Sequence, residues 1–199
     1  MKNQVKLSVI VPCYNEEKRF KEGFAHYYSY LKKQNYPWEL ILVNDGSRDR
    51  TKKLMVAAAK KDSRVKIVSY MPNHAKGDAI VQGVMKAHGQ YILFTDIDHS
   101  VACETIKSFY KYFEQGYQVV IGSRRVRGAR ILVHQHPIRE FLGQGFTFLV
   151  RILVDWQIAD ATCGFKAFGQ ETAKKIFPKI TIYDWAFDAE ILFLCKKFN

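Results

Sequence analysis

The chain has 199 residues, 48% hydrophobic and 25% charged, ordinary proportions for a domain with a buried core. That balance excludes collagen-like, disordered and coiled-coil architectures for the bulk of the chain. Lys and Arg number 31 against 19 Asp and Glu, and the net charge of +12 points to an anionic partner: nucleic acid, a phosphorylated substrate or an anionic membrane surface.

Short β-rich apolar runs recur along the chain, each closing on polar residues. Leu7–Val11 leads into Pro12-Cys13-Tyr14-Asn15, and Leu40–Val43 into Asn44-Asp45-Gly46-Ser47. Val65–Val68 is followed by Ser69 and Pro72-Asn73, Tyr91–Thr95 by Asp96-Ile97-Asp98, and Val119–Ile121 by Gly122-Ser123-Arg124. Apolar strands of this length predict a sheet covered on both faces. The stretches between them have helical spacing, with Phe20, Phe24, Tyr27, Tyr28 and Leu31 on one stripe and Ile80, Val84 and Ala87 on another. The alternation predicts one α/β domain over residues 1–199, with a mostly parallel sheet. Ligands of such sheets sit beyond the carboxyl ends of the strands. Glu16, Asp45, Asp49, Asp96 and Asp98 are expected to converge there, and a divalent metal is a natural reason to gather them.

Cys13, Cys103, Cys163 and Cys195 form no C-x-x-C pair, which sets aside zinc ribbons and thioredoxin-like sites. All four are read as reduced, implying a cytosolic setting. The polar start, Met1 to Lys6, and the short run behind it do not read as a secretory signal. No stretch reaches the ~18 apolar residues of a membrane span. Phe141–Val154 is apolar on nearly every face and carries Arg151. It reads equally as a helix lying on a bilayer, flanked by Arg139 and Arg151, or as a buried domain helix. The stripe Phe187, Ile191, Leu194, Phe198 runs to the last residues without Gly or Pro to stop it, which reads as a chain truncated or short at its C-terminus.

Four clusters carry candidate chemistry. In an extended chain Asp96 and Asp98 point to the same side, and two carboxylates at a central strand end suit Mg²⁺ or Mn²⁺ completed by substrate phosphates. Asn44–Asp49 reads as a turn with Ser47 or Asp49 capping the next helix, and leaves Asp45 to accept hydrogen bonds from a base or ribose. Asn73–Asp78 opens a helix whose N-terminus, with Lys76, favours an anion; it lacks P-loop spacing. Arg124, Arg125, Arg127 and Arg130, with His134, His136 and Arg139 close behind, read as a solvated loop or as an anion clamp. Nucleic acid would suit such a loop, but the chain shows no nucleic-acid module, and none is expected as a partner.

The ordered motifs VIVPCYNEE (Val9–Glu17), VNDGSRDRT (Val43–Thr51), NHAKGDAIVQGV (Asn73–Val84) and FTDID (Phe94–Asp98) resemble family 2 glycosyltransferases of the GT-A fold. GSR (Gly122–Arg124), DATCGFKAF (Asp160–Phe168) and WAFDAEIL (Trp185–Leu192) are similar to its polyprenyl-phosphate branch, dolichyl-phosphate β-glucosyltransferases above all and mannose synthases next. The resemblance implies a Rossmann-like nucleotide-diphospho-sugar transferase fold with helices on both sheet faces. It implies that Pro12, Tyr14, Glu16, Asp45, Lys76 and Asp96 bind the nucleotide sugar, with Asp45 at the base, and that Asp96 and Asp98 hold Mg²⁺ or Mn²⁺. Asp98, Arg124 and Asp160 would be the catalytic residues, Arg124 and Arg127 would bind the acceptor phosphate, and the Cys163–Lys166 segment would border the sugar. Ala75 stands where the family usually has Gly, and His99 and Ser100 where the mannosyl relatives often place a further metal ligand.

The implied reaction is inverting transfer of a hexose, glucose from UDP-glucose, to a polyprenyl or dolichyl phosphate. A phosphate monoester is largely dianionic at neutral pH, its second pKa being about 6. It needs a cation to hold it in line more than a general base. The enzyme is expected to be peripheral on the cytosolic face of the plasma membrane in a prokaryote or of the endoplasmic reticulum in a eukaryote. GDP-mannose as donor and a glycan hydroxyl as acceptor are the alternatives, and outside catalysis, an anionic-lipid binding module. A nucleotidyltransferase would show a Gly-rich basic signature where VPCYNEE stands.

Overall fold

The computed structural model describes residues 4–98, 100–125, 137–184 and 186–198. Strands β1 (Leu7–Cys13), β2 (Trp38–Asp45), β3 (Val65–Tyr70), β4 (Tyr91–Phe94) and β5 (Val119–Ile121) fall where the apolar runs predict them. Helices α1 (Phe20–Lys32), α2 (Thr51–Ala59), α3 (Ala75–Lys86) and α4 (Thr105–Glu114) lie between them, and α5 (Pro137–Leu153) follows β5. A further strand, β6 (Lys166–Gly169), then leads into α6 (Gln170–Ile176) and α7 (Phe187–Phe198).

The strands form one sheet in the order β3-β2-β1-β4-β6-β5. β3, β2, β1 and β4 are parallel neighbours, while β6 runs antiparallel between β4 and β5. The sheet is thus mostly parallel, as expected. β6 has no counterpart among the predicted strands: four residues with a lysine at the head give no readable apolar run. Its insertion matters for the site, because it draws residues 160–165 beside the end of β4.

Alternating side chains of the central strands feed two cores. Val9, Val11, Leu40, Leu42 and Leu93 pack with Phe20, Tyr27 and Leu31 of α1, Met55 of α2 and Ile106, Phe109 and Phe113 of α4. Ile10, Ile41, Val43, Ile92 and Phe94 pack on the other face with Ile80 and Val84 of α3, Ile176 of α6 and Phe187, Ile191 and Leu194 of α7. β2 is buried along its whole length, the covering on both faces that its unbroken apolar run predicts. At the amino end of the strands, buried Glu39 accepts hydrogen bonds from Ser8 Oγ at 2.5 Å and His88 N at 2.7 Å and pairs with Lys66 at 2.5 Å. That edge lies away from the strand-end crevice, and its carboxylate is committed to joining strands.

α5 settles between its two sequence readings. Thr147 and Val150 are buried, and Val150 packs with Ala161 and Leu192, whereas Leu142, Phe148, Leu149, Ile152 and Leu153 are exposed. One edge docks on the domain and a broad apolar face does not. Cys13, Cys103, Cys163 and Cys195 are all free thiols. Among the described residues no helix is long and apolar enough to cross a membrane.

Candidate functional site

The loops after β1 and β2 are laced together by side chains that accept from each other's backbone. Asn15, in the left-handed region at φ 53° where Asn is tolerated, accepts from Arg48 N at 2.9 Å, and its own N–H donates to Ser47 Oγ at 3.1 Å. Glu16 N donates to Thr51 Oγ1 at 2.7 Å and Glu17 N to Asp49 Oδ2 at 3.1 Å. Asp49, rather than Ser47, holds the start of α2, accepting from Thr51 N at 2.9 Å. Burial alone would raise the Asp49 pKa, but the hydrogen bonds from Thr51 and Glu17 carry it below the usual carboxylate range. Glu16 takes a two-pronged bond from Arg19 at 2.8 and 2.6 Å. Pro12 lies on β1 opposite Val43, and Tyr14 stands at the rim, 45% exposed.

Asp45, 3% exposed, organises the loop before α3. It accepts from Asn73 Nδ2 at 2.6 Å and from His74 N at 2.8 Å, and burial raises its pKa in spite of these bonds. Gly46 follows at φ 67°, with the Asn73 backbone so close that a Cβ would lie 2.5 Å from its nitrogen. Ala75 is held at φ 75°, a conformation that Gly adopts freely and Ala does not. The residue after it, Lys76, reaches across to Asp96, Nζ to Oδ1 at 2.5 Å. Burial works against the ammonium, yet the Asp96 carboxylate beside it raises the Lys76 pKa above its usual value.

Asp96 lies just past β4, and Ile97 and Asp98 form a turn behind it, so the segment is not extended through Asp98. Ile97 still points into the core, and Tyr27 Oη donates to Asp96 O at 2.8 Å, pinning the turn from α1. Asp98 is exposed and accepts from Ser100 N at 3.1 Å. The all-oxygen donor set of Asp96 and Asp98 fits a hard divalent cation. Among the described residues no group of three His, Cys, Asp or Glu gathers as a metal site, so phosphate oxygens and water would have to complete an octahedral shell.

Past β5 the strand-end crevice is bounded by Asp160, which has no solvent exposure. Arg124 donates to it from the backbone N at 3.1 Å, from Nε at 2.8 Å and from Nη2 at 2.9 Å, and Nη2 also reaches Thr162 Oγ1 at 2.9 Å. Burial opposes ionisation of Asp160, but the Arg124 hydrogen bonds and charge outweigh it and lower its pKa. Asp160 also accepts from Thr162 Oγ1 at 3.3 Å, so its carboxylate is engaged by Arg124 and Thr162 together. Arg127, Arg130, His134 and His136 lie outside the described residues.

The strand-end loops do converge, but the five carboxylates do not all turn to one cation. Asp45, Asp49 and Glu16 are spent on Asn73 and His74, on Thr51 and Glu17, and on Arg19. Backbone N–H groups at strand and helix ends need acceptors, and that need accounts for Asp45 and Asp49, while Glu16 answers the Arg19 guanidinium and Asp96 the Lys76 ammonium. Asp188, to which no sequence motif assigns a role, pairs with the fully buried Lys166. The available signal is a lysine set directly between the apolar Phe165 and Ala167-Phe168.

The chain is similar to known proteins in both sequence and fold. Dolichyl-phosphate beta-glucosyltransferase ALG5D of Trichomonas vaginalis is 34% identical over 98% of this chain and 63% of its own length. The dolichyl-phosphate beta-glucosyltransferase of Homo sapiens is 32% identical over 97% of this chain and 64% of its own. The chain therefore spans less than two thirds of these relatives. Among solved structures, Staphylococcus aureus TarS 1-349 superposes with a TM-score of 0.64 at 22% identity, covering 96% of this chain and 55% of that one. The mannosyltransferase PcManGT of Pyrobaculum calidifontis, solved with GDP-Man and Mn²⁺, gives 0.63 at 20% identity, over 95% of this chain and 51% of that one. These two likenesses are of fold. The family model for glycosyl transferase family 2 matches residues 8–177, from β1 through β6 and α6 and across every loop described above, and the chain belongs to that family.

Proposed function

We propose that this chain transfers glucose from UDP-glucose to a polyprenyl or dolichyl phosphate, inverting at the anomeric carbon to give a β-linked lipid-phosphate sugar. The observation that carries the reading is the Arg124–Asp160–Thr162 arrangement on the far side of Asp96 from the nucleotide loops. An oriented guanidinium suits a phosphate dianion, which needs a cation in line with the sugar and no base. A sugar hydroxyl acceptor would need a base instead, and the buried Asp160, held in its ionised form by Arg124, is badly placed to serve. The names of the curated relatives support the same donor sugar and acceptor class.

In this reading Pro12, Tyr14, Glu16 and the Asp45-braced loop line the nucleotide, and Lys76 sets a positive charge at the diphosphate end. A divalent cation held by Asp96 and Asp98 would supply charge neutralisation for the departing diphosphate. Arg124, with Arg127, orients the acceptor phosphate. The exposed face of α5 continues into Trp156, 71% exposed, and is flanked by Arg151 and Lys196. An apolar face with cationic edges is what a helix lying in a bilayer interface presents, and it would bring the acceptor to Arg124. The enzyme then works from the cytosolic surface of a membrane.

The test is release of UDP from UDP-glucose by the purified protein with Mn²⁺ and a short-chain polyprenyl phosphate. A lipid-linked product with a β linkage is the expected result. Release that is the same with and without the lipid phosphate, or transfer to a glycan hydroxyl only, overturns the reading. Flotation with vesicles containing anionic lipid tests the surface, and Phe148→Ser with Ile152→Ser should abolish it.

A further inference from the structure

Lys166 has no solvent exposure. It opens β6, opposite Phe94 of β4 on one side and Ile121 of β5 on the other. Burying an ammonium is costly unless it is paired and hydrogen-bonded. The partners are Asp188, in the first turn of α7, and the Cys163 carbonyl, which accepts from Nζ at 2.7 Å. An apolar pair of similar volume would hold a core at least as well, and the neighbours Phe165, Ala167 and Phe168 are all buried apolar residues. Stability alone therefore does not account for the ion pair.

What the pair does locally is close the turn from Cys163 to Lys166, and that turn walls the reactive centre. Gly164 sits so tightly against Asp96 that a Cβ there would collide with Oδ2 and lie 3.5 Å from Lys76 Nζ. Two residues earlier Thr162 accepts from Arg124, and two before that Asp160 holds the same guanidinium. Phe165 O also accepts from Gly122 N at 2.7 Å, tying the segment to the end of β5. Residues 160–166 thus run as one strap from the arginine to the Lys76–Asp96 pair.

We propose that Lys166 and Asp188 are positioning residues: their buried pair fixes the 160–166 strap, and so sets Asp96 and Lys76 in register with Arg124. This rests on the donor-site reading of Asp96 and Lys76. The double variant Lys166→Met with Asp188→Leu separates positioning from stability. Each single change leaves one buried charge unpaired and should lower Tm, whereas the double should regain it to near wild type. Binding of UDP with Mn²⁺, followed by calorimetry, should nevertheless stay about tenfold or more weaker in the double variant. Gly164→Ala tests the same contact without touching the pair. It should keep Tm, since the colliding atom is the end of the Asp96 side chain, and weaken UDP binding similarly. Wild-type UDP affinity in a double variant of recovered Tm, or in Gly164→Ala, overturns the proposal. If the double variant does not fold, Gly164→Ala decides. Absence of UDP binding by the wild type itself overturns the donor-site reading, and the proposal with it.

Discussion

Arg124 and Asp160 are 36 residues apart in sequence and share three hydrogen bonds, two of them from the guanidinium. The carboxylate is buried, so the arginine is oriented before any ligand arrives. That relationship decides which substitution tests the proposed acceptor role of Arg124. Arg124→Ala strands a buried charge, which costs about 3–5 kcal/mol, and its lost activity would be confounded with unfolding. Arg124→Lys keeps a cation for Asp160 and removes the fork. Transfer to polyprenyl phosphate should fall roughly ten- to a hundredfold, the equivalent of about 1.5–3 kcal/mol. UDP affinity and slow hydrolysis of the donor by water should persist. Equal loss of all three places Arg124 with the donor or the fold.

The same pair predicts an acid dependence. The folded-state pKa of Asp160 lies below its usual value, so its pairing contributes stability that is fully present above the unfolded value, about 4. It is lost as pH falls through the lower folded value. The difference in Tm between wild type and Asp160→Asn should be constant from pH 7 to about 5 and shrink below pH about 4. A difference that grows on acidification is the opposite sign and refutes it.

Asp98→Asn keeps the shape of an exposed side chain and removes one ligand charge. Tm should stay within about 1 °C, as for surface substitutions generally, while UDP binding loses its dependence on Mn²⁺. Titration of UDP with and without Mn²⁺ reads this directly. Unchanged metal dependence takes Asp98 out of the metal site.

Ala75 carries backbone strain at φ 75°. Left-handed conformation costs an L-residue about 1–2 kcal/mol, and the extra freedom of unfolded glycine takes back about 0.4–1 kcal/mol. Ala75→Gly should therefore stabilise by roughly 0.5–1 kcal/mol, a rise of about 1–4 °C in Tm for a chain of this size. A lower Tm shows that the strain is relieved in a way the backbone angle does not reveal.

For the donor, UDP-glucose is expected to bind more tightly than GDP-mannose. Calorimetric titration of each with Mn²⁺ compares them, and tighter binding of GDP-mannose reassigns the sugar.

The apolar runs marked the first five strands; β1, β2 and β4 are apolar because both of their faces are covered, whereas β3 and β5 are the sheet edges and only partly buried, and the helical stripes determined which residues face the two cores. The polar residues closing each run marked the strand-end crevice, and the ordered motifs gave the family. What local pattern does not carry is which polar group meets which. Asp45 with Asn73, Lys76 with Asp96, Arg124 with Asp160 and Lys166 with Asp188 each join residues at least 20 positions apart. Only the fold brings them within hydrogen-bond reach. The antiparallel β6 was hidden for the same reason: its four residues become a strand by filling the gap between β4 and β5, and its leading lysine is tolerated in a core because α7 supplies a carboxylate from 22 residues away.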